Sequence, residues 1–146
     1  MSDPKLTSRI ESELDVRSYL QDLKYALKNG ASIDFQIDRV VDTKREPRFT
    51  NRFTIASLFP NEDPSAALRR ELETLTVSEY IRTVKDIHFP KRSEMREFGK
   101  VYNGKDDVYI KIRVELLGQF GNHTVFVMSF HYAETPFDPS MFPYRK

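Results

Sequence analysis

The stretch VYIKIRVEL at residues 108–116 decides the fold, because apolar and polar residues alternate along its whole length. A period of two predicts a β-strand with one face in the core and the other facing solvent. The apolar face carries Val108, Ile110, Ile112, Val114 and Leu116. The opposite face carries Tyr109, Lys111, Arg113 and Glu115, an unusual concentration of functional groups.

Two further stretches with the same period flank this strand, from Phe98 to Tyr102 and from His123 to Ala133. Asn103-Gly104 and the segment 118–122 supply turn residues between them. Short turns between alternating segments are typical of hairpins, so the sequence predicts a three-stranded antiparallel meander.

The segments before the meander predict four helices and one strand. They are a helix from Glu13 to Lys28, a strand from Ile33 to Ile37, a short helix capped by Asn51 and ending at Leu58, a helix begun by Asp63 and Pro64, and a helix from the Thr76–Glu79 capping box to about Lys85. The predicted class is α+β, with N-terminal helices packed on one face of an antiparallel sheet. The Pro-rich, aromatic segment 135–146 is expected to wrap over the core.

Length and composition fit one domain over residues 1–146, with 39% hydrophobic and 31% charged residues. The absence of cysteine excludes disulfide frameworks, thiol catalysis and cysteine zinc sites. Apolar runs are far shorter than the roughly 20 residues that cross a bilayer, and the N-terminus has no apolar signal region. We therefore expect a soluble cytoplasmic protein that does not act at a membrane.

The net charge is only +1, but two stretches are basic. The first runs from Arg39 to Arg52 and contains a predicted loop without periodicity, residues 41–52. A charge run of this kind is typical of a solvated face. The second runs from Arg82 to Arg113 and supplies candidate RNA-binding residues, namely Lys91, Arg92, Arg96 and Arg113.

Hairpin arithmetic brings the polar residues of two strands together. If opposed residues have numbers that sum to about 240, Tyr109 faces His131 and Lys111 faces Ser129. These side chains then share one sheet face, since opposed Cβ atoms approach within about 5.5 Å. The preceding hairpin brings Phe98 to Lys100 beside Tyr109.

Such a face suits cleavage of RNA without a metal or another cofactor. The reaction needs a base for the ribose 2′-OH, cations around the phosphate and an acid for the departing 5′-oxygen. His131 titrates near neutral pH and is the candidate acid or base. Lys100, Lys111 and Arg113 are candidates to stabilise the phosphate. Tyr109 is a candidate to donate a proton or to orient the phosphate.

The same residues also have structural interpretations. A histidine at the end of an apolar strand is often only a partly buried polar group, and Lys111 and Arg113 could form the ordinary solvated face of a strand. His88 and His123 are isolated, and the sequence contains no motif typical of a metal site.

Three strings together resemble a known family. LTVSEYIRTV, FGKVYNGKDDVYIKIRVEL and VFVMSFHYAETPF, in this order after a helix–strand unit, resemble the MqsR-type toxins of bacterial toxin–antitoxin systems. Those are small RelE-like endoribonucleases that cleave mRNA without a metal and are neutralised by a cognate antitoxin. The resemblance covers about Asp15 to Tyr144, and residues 41–48 correspond to a basic insertion.

The resemblance also implies roles for individual residues. A family lysine corresponds to Arg82, the family tyrosine to Tyr109 and a final lysine to His131. The family glutamine corresponds to Gly99, so either the adjacent Lys100 takes its place or the activity is altered.

The sequence thus predicts a metal-independent ribonuclease toxin of RelE/barnase-like fold. It would cut mRNA, free or on the ribosome, by 2′-OH attack to a 2′,3′-cyclic phosphate, and a cognate antitoxin would neutralise it. The alternatives are a non-catalytic module that grips RNA or a protein with the same face, and an adaptor that docks a partner through Arg39 to Arg52 and the aromatic tail.

Overall fold

The computed structural model describes residues 6–39, 45–117 and 122–145. Its three α-helices and six β-strands alternate irregularly along the chain. In order they are β1 (Leu6–Arg9), α1 (Glu13–Lys28), β2 (Ser32–Phe35), α2 (Asn51–Leu58), α3 (Pro64–Leu72), β3 (Tyr80–Asp86), β4 (Met95–Tyr102), β5 (Asp106–Leu117) and β6 (Asn122–Tyr132). Short 3-10 turns occupy Pro47–Phe49, Val77–Glu79 and Pro139–Met141.

The strands form one sheet in the order β1-β3-β4-β5-β6-β2. Neighbouring strands are antiparallel except for β2, which runs parallel to β6. The predicted α+β class and the predicted meander of β4, β5 and β6 are confirmed. A wholly antiparallel sheet was predicted, and the parallel pairing of β2 with β6 contradicts this. The parallel pair arises because α1 carries the chain from β1 at one edge of the sheet to β2 at the other edge.

The hydrophobic core lies between one face of the sheet and the helices. Val108 and Ile110 of β5 are fully buried there with Phe98 of β4, against Leu20 and Leu23 of α1. These are the apolar positions of the alternating strands. The three described α-helices all contribute to this core, so none of them covers the opposite face, which carries the polar set.

The helix predicted from Thr76 to about Lys85 is wrong. The capping box is present, with the Thr76 amide donating to the Glu79 carboxylate at 2.9 Å, but it encloses only a 3-10 turn. The chain then continues as β3, whose Ile81, Thr83 and Val84 are buried. These β-branched residues favour a strand, and pairing with β1 on one side and β4 on the other outweighs the local helix signal. The N-terminal strand β1 was not predicted either.

The cap of α2 also differs from the prediction. Thr50, not Asn51, accepts a hydrogen bond from the Phe53 amide at 3.2 Å. Asn51 instead reaches β6, where it donates to the Met128 carbonyl at 3.1 Å and accepts from the Phe130 amide at 2.9 Å. Met128 is the extra residue of a β-bulge, since Lys111 pairs with Ser129 and the next residue, Ile112, pairs with Val127. Asn51 thus satisfies backbone groups of β6 beyond Val127, where the pairing with β2 ends.

Other local predictions are confirmed. Helix α1 has the predicted bounds, and Asp63 caps α3 by accepting from the Ala66 amide at 3.0 Å. Asn103 and Gly104 have φ angles of 55° and 72°, which is the left-handed conformation that a tight hairpin turn requires. Residues 118–121 of the second predicted turn lie outside the described residues.

The tail beyond β6 is ordered against the sheet, as predicted. The Phe137 amide donates to the Asp107 carboxylate at 2.8 Å, and Phe142 is buried. Tyr144 stacks on Tyr80 with ring centroids 6.2 Å apart, and its hydroxyl donates to the Glu11 carbonyl. Phe137 and Phe142 therefore lie over Gly99 on the sheet face opposite the helices, whereas Tyr144 packs against the core that contains Tyr80.

Candidate active site

The β5–β6 hairpin has the predicted register. Tyr109 pairs with His131 and Lys111 with Ser129. The rings of Tyr109 and His131 lie side by side, with centroids 5.4 Å apart and planes inclined by 43°. The imidazole and the phenol therefore share the sheet face that is free of helices.

This face forms the floor of a cleft of about 710 Å³, and the tail forms one wall. The floor is made mainly by polar and charged side chains of β3 to β6. The lining residues from the sheet are Ile81, Arg82, Glu97, Tyr109, Lys111, Ser129 and His131. Ile10, Arg39, Arg45 and the tail from Ala133 to Met141 complete the rim.

His131 is held as a neutral base. Its Nδ1 lies 2.9 Å from the Tyr132 carbonyl, which can only accept, so Nδ1 carries a proton. The other ring nitrogen, Nε2, lies 3.2 Å from Arg45 Nη1 and has its lone pair available to that donor. Burial lowers the pKa of His131 below its ordinary 6.5, and the charges of Arg45 and Arg39 lower it further against the opposing effect of the Tyr132 carbonyl.

Lys111 is a buried cation in the floor of the cleft. Only 8% of its surface is exposed, and burial lowers the pKa of its ammonium; the charges of Arg39 and Arg82 act in the same direction and Glu97 in the opposite one. Among the described side chains it has no ion-pair partner, whereas neighbouring Arg82 pairs with Glu97 at 2.8 Å. A buried cation without a matching anion favours an anionic ligand.

The hydroxyl of Tyr109 stays protonated. Burial raises the pKa of this phenol well above its ordinary value, and the nearby carboxylate of Glu97 raises it further, while Arg82 and Arg39 act in the opposite direction. Tyr109 therefore serves as a hydrogen-bond donor rather than as a base.

Glu97 is a site residue that the sequence pattern did not predict. It is buried on β4, opposite both Lys111 of β5 and Arg82 of β3. Its carboxylate orients the guanidinium of Arg82 through contacts of 2.8 and 3.4 Å. Extending the hairpin arithmetic two residues beyond Gly99 would have placed it opposite Lys111.

Arg39 and Arg45 are also site residues that were not predicted, because a basic stretch without periodicity is typical of a solvated or docking segment. Arg39 Nη1 lies 3.4 Å from both the Met128 carbonyl and Ser129 Oγ. Arg45 forms an ion pair with Glu134 at 3.0 Å beside His131. Residues 41–44 of the predicted insertion lie outside the described residues. The ends of this segment therefore bring two cations to the cleft.

The cleft is electropositive. Arg39, Arg45, Arg82 and Lys111 line it as cations against two carboxylates, Glu97 and Glu134. Since His131 is neutral, the excess is two positive charges among the described lining residues. Low-dielectric walls strengthen the attraction of such a site for an anion.

The structure does not bring all of the predicted residues into this cleft. Lys100 and Arg96 point to the helix side of the sheet, where they pair with Glu79 at 3.2 Å and Glu11 at 2.9 Å. The expectation that Lys100 lies with Tyr109 is wrong, because alternate residues of β4 face opposite sides. Lys100 pairs in register with the core residue Val108, not with Tyr109.

The other three predicted RNA-binding residues also lie outside the cleft lining. Arg113 is on the cleft face but stacks over Phe126 at 4.1 Å and pairs with Glu115. Lys91 and Arg92 lie in the exposed connection from β3 to β4, where Arg92 stacks on Phe89 at 3.8 Å.

Gly99, which the sequence resemblance aligns with a glutamine, faces the tail. A Cβ atom there would lie 2.8 Å from ring atoms of both Phe137 and Phe142, closer than side chains approach one another. Aromatic rings therefore occupy the space into which a glutamine would extend.

Among the described residues, no group of three or more His, Asp or Glu side chains could hold a metal ion. No helix in the same part of the chain combines the length and apolar character that crossing a bilayer demands.

Comparison of the chain with models of protein families, with curated proteins and with solved structures finds no significant match.

Proposed function

We propose that this protein is an endoribonuclease that cleaves mRNA without a metal, through attack of the ribose 2′-OH. The observation that carries the proposal is the pairing of His131 and Tyr109 at 5.4 Å within a cleft that holds two excess positive charges. A neutral imidazole beside cations that outnumber the described carboxylates of the cleft matches a substrate that is anionic and needs a base.

In the proposed reaction, a phosphodiester enters the cleft and draws Arg45 away from Nε2 of His131. The freed Nε2 takes the proton of the 2′-OH, and the 2′-oxygen attacks phosphorus. Arg39, Arg45 and Arg82 stabilise the charge that builds on the phosphoryl oxygens. Each well-placed donor of this kind contributes roughly 2.7–4 kcal/mol.

The bond from phosphorus to the 5′-oxygen then breaks, and the leaving oxygen needs a proton. Lys111 is the proposed acid, because its lowered pKa makes its ammonium a better proton donor than an exposed lysine. Tyr109 donates a hydrogen bond to the phosphate. The products are a 2′,3′-cyclic phosphate and a 5′-hydroxyl, and solvent returns the proton from His131 to Lys111.

The resemblance to MqsR-type toxins supports the same proposal and extends it to the cell. On this hypothesis the sheet with its helices is the RelE-like arrangement, the protein acts on cytoplasmic mRNA, and a cognate antitoxin neutralises it by covering the cleft. Arg82, Tyr109 and His131, which the family pattern selects, all line that cleft.

The direct test is cleavage of a single-stranded RNA in excess EDTA. Wild-type protein is expected to leave cyclic phosphate ends, and His131→Ala is expected to lose about 10²–10⁴ of the rate, the usual contribution of an acid–base group. His88→Ala is the matched control, since His88 is exposed and outside the cleft. Cleavage that requires a divalent metal, or a fully active and folded His131→Ala protein, would refute the mechanism.

A binding module without catalysis is the second candidate. The contact between Arg45 and Nε2 of His131 favours it, because this contact blocks the base in the free protein. RNA binding that weakens steeply with salt, with no cleavage at any pH, would identify this function.

A further inference from the structure

The cleft has an apolar part beside its cationic floor. Ile10 and Met141 line it with 55% and 38% of their surfaces exposed, and the half-buried Phe137 lines the same cleft. Large exposed apolar side chains that gather in one cleft, rather than scattering over the surface, mark a binding surface.

This apolar wall is preformed. The hydroxyl of Tyr144 bonds to the Glu11 carbonyl and so holds the tail next to Ile10. Phe137 is fixed by its amide bond to Asp107 and by its edge contact with Phe142, whose centroid lies 5.6 Å away. A ligand that uses the wall would not have to order it first, which reduces the cost of binding.

Because the apolar wall and the cationic floor line the same cleft, they favour a ligand that has both an apolar part and an anionic part. A phosphate on the floor, beside Lys111 and Arg82, would lie at the foot of the wall in the same cleft of about 710 Å³. A nucleotide joins an anionic phosphate to a flat, largely apolar base through one sugar. A folded acidic protein fits less well, because Lys111 and His131 are only 8% and 7% exposed, at the floor of the cleft.

We infer that Ile10, Phe137 and Met141 form a subsite for one unstacked nucleobase next to the phosphate that is cleaved. This inference rests on the proposed function and specifies its substrate as single-stranded RNA. In a duplex both faces of each base are stacked and its edge is paired, so no base is free to lie against the wall.

The experiment measures binding without cleavage. Fluorescence anisotropy would compare a short oligonucleotide, 2′-deoxy at every position, with versions in which one base at a time is replaced by an abasic residue. Loss of the base that occupies the subsite is expected to weaken binding about tenfold, within the usual range for a base stacked on a side chain.

Two variants test where that base binds. Ile10→Ser and Met141→Ser alter exposed side chains, and each variant is expected to bind the intact oligonucleotide more weakly. Removal of the base should then weaken binding by about twofold or less, because the base makes fewer apolar contacts with the variant protein. Leu14→Ser is the control, since Leu14 is 73% exposed and does not line the cleft. It should keep the full penalty.

Equal affinity for intact and abasic oligonucleotides at every position would overturn the subsite, as would a penalty that both variants retain. A site for a protein segment would give that result. Cleavage of all-ribose RNA in EDTA, measured in parallel, separates the two hypotheses. Cleavage without a base penalty refutes only the subsite, whereas a base penalty without cleavage refutes only the nuclease.

Discussion

The two faces of the sheet both bury charged side chains, but they treat them differently. On the helix-covered face, Glu11 receives two hydrogen bonds from Arg96, at 2.9 and 3.0 Å, and a third from Thr83 at 2.6 Å. On the cleft face, Lys111 is buried without an ion-pair partner among the described residues, beside a neutral His131. The buried ion pair on the helix-covered face contributes to the folded structure, whereas a buried cation without a counter-charge favours binding of an anion.

The largest expected effect concerns the matched face. Glu11→Gln leaves the guanidinium of Arg96 without a full counter-charge and is expected to destabilise the fold by about 3 kcal/mol, as broken buried ion pairs do. Denaturant unfolding would measure this loss. The folded fraction should cleave RNA at the wild-type rate, because Glu11 does not line the cleft.

Glu94→Gln is the control for that prediction. Glu94 pairs with Arg9 at the surface, where 52% of the arginine side chain is exposed. A surface pair contributes about 0–1 kcal/mol. Equal losses in the two variants would mean that burial does not distinguish these pairs.

On the cleft face we expect a smaller effect of the opposite kind, in which cleavage is lost and stability is kept. Lys111→Met removes a buried cation that has no ion-pair partner among the described side chains, so stability should be unchanged or slightly increased. Cleavage should fall about 100-fold, the lower end of the usual contribution of an acid–base group. The two measurements are unfolding in denaturant and single-turnover cleavage.

Lys100→Met is the matched control, since Lys100 occupies the neighbouring strand but faces the helices and pairs with Glu79. It should cleave normally. An active Lys111→Met protein would remove the proposed acid from the mechanism.

The smallest effect is the pH dependence of kcat/KM. Activity should rise with pH as His131 loses its proton, and this limb should lie below 6.5 because the pKa of His131 is lowered. It should fall again as Lys111 loses its proton, at a pH below that residue's ordinary 10.5. Each limb changes the rate by up to about tenfold per pH unit. Disappearance of the alkaline limb in Lys111→Met would assign it, and its persistence there would contradict the assignment.

The sequence predicted the features that local periodicity controls. The pairing of Tyr109 with His131 came from alternation and one turn, because each step involves near neighbours along the chain. Glu97 required the register of a second hairpin, and Arg39 and Arg45 required the path of a segment without periodicity. The exclusion of a side chain at Gly99 depends on Phe137 and Phe142, roughly forty residues away, which no local pattern reveals.

The error at β3 has a related cause. The Thr76–Glu79 box satisfies the same backbone groups at the start of a 3-10 turn as at the start of a helix. The residues after the capping box form a strand because they pair with β4, and this pairing is a tertiary effect. Local motifs therefore predicted where an element begins more reliably than which element it is.

The bulge at Met128 has a consequence for mutational robustness. Its carbonyl accepts hydrogen bonds from both Arg39 and Asn51, and so anchors each end of the chain segment that brings Arg45 to the cleft. Since a main-chain oxygen is present whatever amino acid occupies the position, point mutation at codon 128 leaves this anchor chemically intact. Loss of the anchor requires a change in the donors, Arg39 and Asn51, or a change in chain length such as a single-codon deletion in β6.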